Sequence, residues 1–467
     1  MIRHILFRGQ TESRVWQQVP GDSSEHTHLV NLNGLSHALV EWCRFEAFEG
    51  DAVYVGSGNV GGHVTHNRRI TIRHNWFDGI NKENRNGISV IDGENVAILY
   101  NFFRRCSRAN MPGPIDVEPD AQAWHRIRQI LIEGNDFEDC GGGAIIQIYL
   151  ADWGVFTQEA RTFRLTKNDM RASPDSFGLQ IFRDSDALAS HDSLDFVIEG
   201  NTGEGLKRPF NLSGIKGLRS AFNTWRDIQG SGLIGFTGAA SRDVTLFRDT
   251  FERVGTDTTG TQGNAAVVVY SAHGLQVESC LFDDCGYFEE GEDPFGLPIQ
   301  FNAGSSSFVW LLRNTFRTQG RMTHGILASG HTFDARTNRY EGNAFDGYSA
   351  EVQFEYMLGD FAEGNLGGTA RLPDDYPVGI TPEVIAVAGS DPNIPAPPGY
   401  AGAKQGFRLT YVSRDVGVDP GFRKWIRQVY YPAFNSDHDH LVYYRSANEG
   451  ANTWGVWHSN KESTAAL

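Results

Sequence analysis

Three stretches of the sequence share one pattern and decide the fold: ITIRHNWF (Ile70–Phe77), VAILYNFF (Val96–Phe103) and ILIEGNDF (Ile130–Phe137). Each begins with alternating apolar residues, which is typical of a β-strand with one buried face. Each then has an asparagine, followed two residues later by a phenylalanine. A pattern that returns at such short intervals predicts one repeated structural unit rather than a series of different domains.

The unit recurs along most of the chain. Eleven copies follow one another. The third residues of their three-residue motifs, such as Phe77 in NWF, are 22 to 34 residues apart by subtraction, at positions 45, 77, 103, 137, 170, 203, 225, 251, 282, 316 and 340. A second short strand follows each copy after a glycine-containing turn, as in DAVYVG, NGISVI, GPIDVE and GAIIQI. Stacked two-strand units with loops of variable length predict an all-β fold, a right-handed parallel β-helix of about eleven rungs.

The spacing of residues is the same in each copy, and it predicts which residues lie in the interior of this solenoid. Asparagines at one turn position can hydrogen-bond to their equivalents above and below, and we expect Asn101, Asn135 and Asn168 to form a buried ladder. The aromatic residue two positions later is expected to stack inside the bore. Three cysteines lie three residues after such an aromatic residue and are expected in the core: Cys106, Cys140 and Cys285.

Composition supports a β-rich protein and argues against several classes of function. The 467 residues include 53 glycines and 30 phenylalanines, with a net charge of −16, so nonspecific nucleic-acid binding through a basic surface is not expected. No apolar run approaches the ~20 residues of a membrane span, and the first residues lack the pattern of a secretory signal. The five cysteines contain no CxxC spacing, which predicts neither a disulfide framework nor a zinc site.

Composition also divides the chain into four segments. Residues 1–25 are predicted to be a lead-in or cap, and residues 26–370 the β-helix. Residues 371–406 contain the proline-rich DPNIPAPPGY and are typical of a linker. The aromatic-rich strands of residues 407–467, beginning at FRLTYVSR, predict a small β-domain for trimerisation or carbohydrate binding.

The repeat and the terminal phrase YYRSANEGANTWGVWH together resemble bacteriophage tailspikes, which are virion enzymes that degrade host surface polysaccharide. The stretch from Asn86 to Asp120 is similar to the core of pectate-lyase-like β-helix proteins, many of them active on polysaccharides. The resemblance implies a protein of the virion tail, extracellular and homotrimeric, that contacts other tail proteins and a bacterial O-antigen, capsule or exopolysaccharide. No virion-anchoring domain precedes the first rung, so we expect either a longer natural chain or attachment through another protein.

The stretch GPIDVEPD (Gly113–Asp120) contains the leading catalytic candidates. Ile115 and Val117 are expected to point into the bore, which leaves Asp116 and Glu118 on the outer face, ~7 Å apart along the strand. Such a separation fits inverting glycoside hydrolysis, in which one carboxyl protonates the leaving oxygen and the other activates water. The alternative is that either acid only bonds backbone or neighbours an arginine.

Alignment of neighbouring rungs extends this pair into a polar and aromatic stripe. Amides and acids can bond sugar hydroxyls, and rings can stack on sugar faces. The predicted substrate-binding residues, with an arginine that would pair with an acidic sugar, are Gln147, Tyr149, Gln180, Phe182, Arg183 and Asn211. A third catalytic candidate, Asp184, lies in FRDSD (Phe182–Asp186), with Glu159 in the preceding loop.

Other chemistries have weaker support in the sequence. Lyase action on a uronic acid requires a base and a group that neutralises the carboxylate, roles open to Tyr149, His125, Arg126 or Arg183. The run DHDH (Asp437–His440) could ligate a metal, but a hairpin turn is the preferred interpretation, and no metal or cofactor is predicted. Glu351 and Glu355 are expected on a solvated or inter-subunit surface.

These observations predict an endo-acting glycoside hydrolase that depolymerises a bacterial surface polysaccharide. The alternatives are a polysaccharide lyase, a receptor-binding spike that adheres without cutting, and a purely structural spike. Outward-facing acids favour the enzyme, whereas a groove without paired acids would favour the binding protein. The sequence leaves the polysaccharide itself open.

Overall fold

The structure is a computed structural model that describes residues 1–10, 26–119, 124–150, 161–182, 195–236, 240–256, 265–286, 297–318, 326–328, 331–333, 339–341, 343–346, 379–387, 404–414, 424–432, 443–448 and 458–459. The regular elements in these ranges are strands, numbered β1 to β40 along the chain. No helix in these ranges is long and apolar enough to cross a membrane. The predicted all-β class is therefore confirmed.

Most strands form a parallel β-helix, as the repeat predicted. Each turn of the chain adds one strand to each of three stacks, and neighbours within a stack pair in parallel. Stack 1 contains β1 (Ile2–Arg3), β4 (Leu39–Glu41), β9 (Arg68–Arg73), β12 (Gly93–Leu99), β15 (Ile127–Glu133), β18 (Arg161–Thr166), β20 (Phe196–Glu199), β22 (Lys216–Ala221), β25 (Ser241–Phe247), the second half of β27 (Ala265–Glu278), β30 (Trp310–Leu312) and β34 (Arg339–Glu341), with β33 (His331–Phe333) beside it.

Stacks 2 and 3 complete each turn. Stack 2 contains β2 (Leu6–Arg8), β5 (Arg44–Glu46), β10 (Trp76–Asp78), β13 (Phe102–Arg104), β16 (Asp136–Glu138), the first parts of β19 (Asp169–Phe182) and β21 (Thr202–Ser213), β23 (Thr224–Ile228), β26 (Thr250–Val254), β28 (Leu281–Asp283), β31 (Thr315–Arg317) and β35 (Ala344–Asp346). Stack 3 contains β3 (Val30–Asn33), β6 (Val53–Gly56), β11 (Ile88–Val90), β14 (Ile115–Val117), β17 (Ala144–Tyr149), the last parts of β19 and β21, β24 (Gly232–Ile234), the first parts of β27 and β29 (Leu297–Ser307), and β32 (Ile326–Ala328).

Two antiparallel elements lie outside the stacks. A small hairpin of β7 (Gly58–Val60) and β8 (His63–Thr65) connects stack 3 to stack 1 in an early turn. Near the C-terminus, five antiparallel strands form a separate sheet: β36 (Gly379–Val387), β37 (Lys404–Arg414), β38 (Lys424–Pro432), β39 (Tyr443–Asn448) and β40 (His458–Ser459). β36 lies within residues 371–406, so this part of the predicted linker contributes a strand.

The predicted asparagine ladder is present at the turn from stack 1 to stack 2. Nδ2 of Asn101 donates to Oδ1 of Asn135, and Nδ2 of Asn135 donates to Oδ1 of Asn168, both at 3.0 Å. Nδ2 of Asn135 also donates to the carbonyl of Ile98 at 2.9 Å, which ties the turn to stack 1. The residue before each asparagine has a positive φ, for example Tyr100 at 51° and Lys167 at 53°. The ladder therefore satisfies buried polar groups at a turn that would otherwise leave them unpaired.

The predicted aromatic column fills the bore behind stack 2. Phe77, Phe103 and Phe137 are fully buried and stack with ring centroids 4.6 and 4.8 Å apart. The column is interrupted at Gly203, where a Cβ would lie 2.6 Å from Cε3 of the buried Trp225. The indole thus occupies the space that a side chain at position 203 would need.

Two details near the ends of the repeat differ from the sequence prediction. Tyr340 of the copy that begins at position 338 lies in β34 and pairs with Leu311 of stack 1. The equivalent of Phe316 is instead Phe345, and the ladder continues from Asn314 to Asn343. The prediction for the last copy was therefore wrong, because the two asparagines lie only five positions apart. At the other end, β1 and β2 already pair with the first stacks.

The cysteines are buried and reduced, in agreement with a packing role. Cys106, Cys140 and Cys285 lie in the core as predicted, and all five cysteines are free. Burial raises the pKa of the Cys285 thiol to about 12. Thiols in this state are weak nucleophiles.

Candidate active site

The stripe predicted from GPIDVEPD lies on the outer side of stack 3, in the predicted register. Asp116 pairs with Ser89 on one side and with Gln147 on the other. The row continues through Gln180 to Asn211. Ile115 and Val117 point into the core and are fully buried. The period-2 alternation of the strand therefore located this row correctly.

Most of the outer row is nevertheless buried, which differs from the expectation of an exposed stripe, while Gln180 is half-buried. Asp116 is 0% exposed, Gln147 8% and Asn211 4%. After Asn211 the row becomes apolar, since its next members are the buried Leu233 and Val268. The alternation of a strand tells which side a residue faces, but it does not tell what packs on that side.

A second column beside this row is partly exposed. Glu118 directly follows Val117, whose partner is Ile148, and Tyr149 directly follows Ile148. Tyr149 pairs with Phe182, and their rings lie 4.4 Å apart with an interplanar angle of 33°. Along stack 3, the Glu118 carboxyl is thus followed by two partly exposed aromatic rings, those of Tyr149 and Phe182. Ring faces of this kind are suited to contact the apolar faces of sugars.

Asp116 and Glu118 form a carboxyl pair. Burial raises the pKa of Asp116 well above its ordinary value, and the Glu118 carboxyl raises it further through its charge and through a hydrogen bond between the two side chains. The Arg85 guanidinium opposes this change, while Asp51 adds to it. The separation of ~7 Å between the two carboxyl groups stays a prediction. A buried carboxyl beside a second carboxyl is harder to ionise than an isolated one.

The surroundings of Asp116 also fit a protonated carboxyl. Its Oδ1 meets no hydrogen-bond donor among the described residues. In one orientation of the Asn86 amide, its nitrogen lies 3.4 Å from Oδ2 of Asp116. In the flipped orientation, the nitrogen donates to the carbonyls of Arg85 and Gly113, both at 3.0 Å. The amide oxygen then accepts from Ser89 and faces Asp116. A proton on Asp116 removes the repulsion that an ionised carboxylate would meet there.

Asp51, Arg85 and His28 surround the pair from the neighbouring turns and were missed by sequence reasoning. Arg85 Nη1 donates to Oδ2 of the fully buried Asp51 at 2.9 Å. Burial raises the pKa of Asp51 to about 6, although Arg85 opposes the change. Burial likewise lowers the pKa of His28 to about 4, and its Nδ1 accepts the Asp51 N–H at 3.2 Å. The sequence contained one signal for this grouping. Asp51 and Asn86 lie two residues before Val53 and Ile88, and those two residues pair in register on stack 3.

Two of the residues considered for lyase chemistry, His125 and Arg126, lie away from the carboxyl pair. His125 is buried, and its Nε2 lies 3.1 Å from Oγ of Ser57. The Trp124 indole also donates to that hydroxyl at 3.4 Å. The backbone N–H of Arg126 donates to Oδ1 of Asp92 at 2.7 Å. These contacts hold the connection from stack 3 to stack 1, and they give His125 a structural partner.

Several predicted residues lie outside the described residues. They are Asp120, Glu159, Arg183, Asp184, Asp186, Glu351, Glu355 and the run Asp437–His440. In the part of the chain that the structure describes, no group of three or more His, Cys, Asp or Glu side chains could hold a metal ion. The described site therefore consists of the carboxyl pair, the polar residues around it and the two aromatic rings.

Comparison with known proteins gives likenesses of fold. No protein-family model matches the chain, and no curated protein matches it in sequence. One similar solved structure is the catalytic unit of the thermostable GH87 alpha-1,3-glucanase of Streptomyces thermodiastaticus strain HF3-3, with a TM-score of 0.36, 10% identity and coverage of 69% of this chain and 51% of that chain. Another is the gp42 tailspike of Acinetobacter phage vb_AbaP_AS12, with a TM-score of 0.24, 9% identity and coverage of 92% and 76%.

The chain thus spans about half the length of the glucanase structure. The sequence predicted a likeness to phage tailspikes with a polysaccharide-active β-helix, and a tailspike and a glucanase are both among the similar structures. The chain is a parallel β-helix followed by a small antiparallel sheet. Its reaction has to be inferred from its own side chains.

Proposed function

We propose that this protein is a phage spike that binds a bacterial surface polysaccharide and hydrolyses it as an endo-acting glycosidase. The observation that carries the proposal is the fully buried carboxyl of Asp116, which lies two residues before the partly exposed Glu118 and whose pKa is raised by burial and by Glu118. A carboxyl with a raised pKa is suited to supply the proton for general acid catalysis. Paired titratable groups in such an arrangement are enriched at functional sites.

The two carboxyls have different roles in this mechanism. Asp116 is fully buried, so it is a positioning residue that holds the proton of the pair. Glu118 is the catalytic residue, because it is partly exposed and can reach a glycosidic oxygen. Glu118 takes up the proton that Asp116 holds and donates it to that oxygen as the bond between oxygen and the anomeric carbon breaks. Water then attacks the anomeric carbon, and Asp184 is our candidate for the carboxylate that takes its proton.

Tyr149 and Phe182 supply the binding platform next to Glu118. Their tilted rings would contact the faces of consecutive sugar units, and Arg183 is proposed to pair with an acidic substituent. Gln147, Gln180 and Asn211 lie in the adjacent row and would bond sugar hydroxyls where their amides are reachable.

A second function, adhesion without cleavage, is favoured by one specific observation. Asp116 belongs to a buried polar network with Asp51, Arg85 and Asn86, and such a network can hold adjacent turns together without any catalytic role. In that case the aromatic rings would bind the receptor and Glu118 would be an ordinary surface acid.

The wider setting of the protein is also proposed. The C-terminal strands β36 to β40 would support a homotrimer or bind carbohydrate, and the spike would contact other tail proteins on the extracellular virion tail. These assignments are supported by the resemblance of the terminal phrase to those of tail-fibre proteins. They are independent of the chemistry at Glu118.

A panel of purified capsules, O-antigens and exopolysaccharides tests the proposal. The wild-type protein should release reducing ends from at least one polymer, and Glu118→Gln should lower turnover by ~10²–10⁴-fold while binding is retained. Glu138→Gln is the matched control, because Glu138 is equally half-buried but lies on stack 2. Binding without reducing ends would establish adhesion instead. Products that absorb near 235 nm, the region of unsaturated uronates, would establish a lyase.

A further inference from the structure

A second concave site lies on stack 1, away from the carboxyl pair. It has a volume of about 650 Å³, within the ~300–1,000 Å³ of typical ligand pockets. Four successive turns of the solenoid contribute to it, on a side of the molecule formed by β22, β25, β27 and β29–β30. Its lining residues are Lys216, Arg242, Asp243, Thr245, His273, Gly274, Gln276, Ser307, Phe308 and Trp310.

The backbone in this hollow has a feature that recurs along stack 1, since Arg69, Asn95 and Gln129 have a positive φ at the equivalent position of earlier turns. In each of these turns the strand contains a residue with positive φ: Gly217 at 73°, Asp243 at 52°, Gly274 at 79° and Phe308 at 55°. At Gly274 a Cβ would lie 2.8 Å from Oδ1 of Asp243. The Asp243 carboxylate therefore occupies the space that a side chain at position 274 would need, and glycine tolerates the backbone conformation there.

One wall is a row of basic side chains. Lys216 pairs in register with Arg242, and Arg242 pairs with His273. The guanidinium of Arg242 is exposed and makes no hydrogen bond or ion pair with another described residue. The chain has a net charge of −16 with histidine counted as neutral, so Lys216 and Arg242 are two adjacent positive charges on an acidic protein. A planar guanidinium fork is suited to bind a carboxylate with two hydrogen bonds.

The opposite wall offers what a sugar requires. Thr245 pairs with Gln276, and Gln276 pairs with Trp310, which places a hydroxyl, an amide and an indole in one row. Phe308 at the rim is 52% exposed. Rings of this kind stack on sugar faces, while hydroxyl and amide groups bond sugar hydroxyls. Asp243 also lines the site, and its negative charge disfavours a dianionic phosphate more than a singly charged carboxylate.

We propose that this stack 1 site binds an oligosaccharide that carries uronic-acid units, with the carboxylate on Arg242 and a sugar ring on Trp310. The site is separate from the carboxyl pair on stack 3 and does not require cleavage to occur. It would hold an acidic polysaccharide against the shaft of the spike. The inference does not depend on the hydrolase proposed above.

Isothermal titration with a galacturonic acid trisaccharide tests this inference on the full chain. The acid form should bind, and its methyl ester, which keeps the sugar shape but loses the charge, should bind at least ~10-fold more weakly, as expected when a charge-assisted hydrogen bond is removed. Arg242→Gln and Trp310→Leu should each weaken binding by a similar factor. Sodium phosphate at equal concentration should compete poorly.

Two controls keep the result interpretable. Arg68→Gln changes an arginine near the start of an early stack 1 strand, where it pairs with Glu94 at 3.6 Å, and should leave binding unchanged. Tyr149→Leu removes one ring of the stack 3 platform and should also leave binding unchanged, whereas a loss there would assign the probe to stack 3 and overturn the inference. Equal affinity for acid and ester, or wild-type affinity in Arg242→Gln with an unchanged melting temperature, would overturn it as well. If Arg242→Gln still releases reducing ends from a polymer that the wild-type protein degrades, this site is separate from the proposed activity.

Discussion

Oγ of Ser220 donates a 2.6 Å hydrogen bond to Oδ2 of Asp249, a carboxyl that stands in the asparagine ladder. Asp249 also accepts from Nδ2 of Asn223 at 2.9 Å, as an asparagine at this position would. Ser220 occupies a buried position whose partners in neighbouring strands are Ile198 and Leu246. The serine therefore replaces an apolar residue at the place where the ladder contains an acid.

This relationship predicts that Asp249→Asn stabilises the protein at neutral pH. Burial raises the pKa of Asp249 from 3.8 to about 6, so the folded state binds this proton more tightly than the unfolded chain. This proton contributes ~3 kcal/mol to the free energy of unfolding below pH 4, and the contribution is lost as the pH rises through about 6. The variant should melt at a higher temperature than the wild type at pH 7, and the difference should shrink at pH 4. Asp283→Asn, a half-exposed acid on stack 2, should change the melting temperature little at either pH.

Breaking the ladder with Asn135→Leu should lower the free energy of unfolding by roughly 1–3 kcal/mol. The leucine would remove the donor to Asn168 Oδ1 and the acceptor for Asn101 Nδ2, leaving buried partners unsatisfied. Denaturant unfolding measures the change. The neighbouring Asp136→Asn removes only a 2.6 Å ion pair with Arg171 between side chains that are both more than 40% exposed, and should cost less than ~1 kcal/mol. Equal effects of the two substitutions would contradict the ladder's role.

Asp116→Asn should change the pH dependence of activity as well as its size. Burial and Glu118 raise the pKa of Asp116, so wild-type activity should fall as pH rises through that raised pKa. The amide cannot hold that proton, so turnover should drop by ~10²–10⁴-fold and this alkaline limb should move or disappear. Because the folded-state pKa is raised, the variant should also lose less stability than the wild type as pH increases. A parental pH profile with full turnover would show that Asp116 has only a structural role.

The terminal strands predict an assembly that can be measured directly. A solenoid needs a cap on its final apolar rung, and strands that also associate around a threefold axis would provide one. Light scattering should return three times the 51.8 kDa chain mass, and deletion of residues 407–467 should abolish that mass. A full-length protein that scatters as a monomer would contradict the trimer.

Local sequence pattern by itself determined the β-helix, its ladder and the register of the outer row. Repeats stack on their neighbours, so the positions of Asn135, Phe137 and Asp116 follow from a short pattern and from the alternation of side chains along a strand. The pattern was ambiguous only where two asparagines lie five residues apart, near Asn343. Each of these features depends on contacts between adjacent turns.

The tertiary structure alone decided what the side chains on the outside meet. Burial of Asp116 and its contact with Glu118 depend on loops from other turns, which bring Arg85 and Asn86 over the strand. The stack 1 site joins Lys216 to Trp310, residues separated by 94 positions (310 − 216), and the stacking of four turns determines which side chains line it. Strand alternation gives a side chain's direction, but the packing of loops and the backbone bulges determine whether it reaches solvent, a proton partner or a ligand.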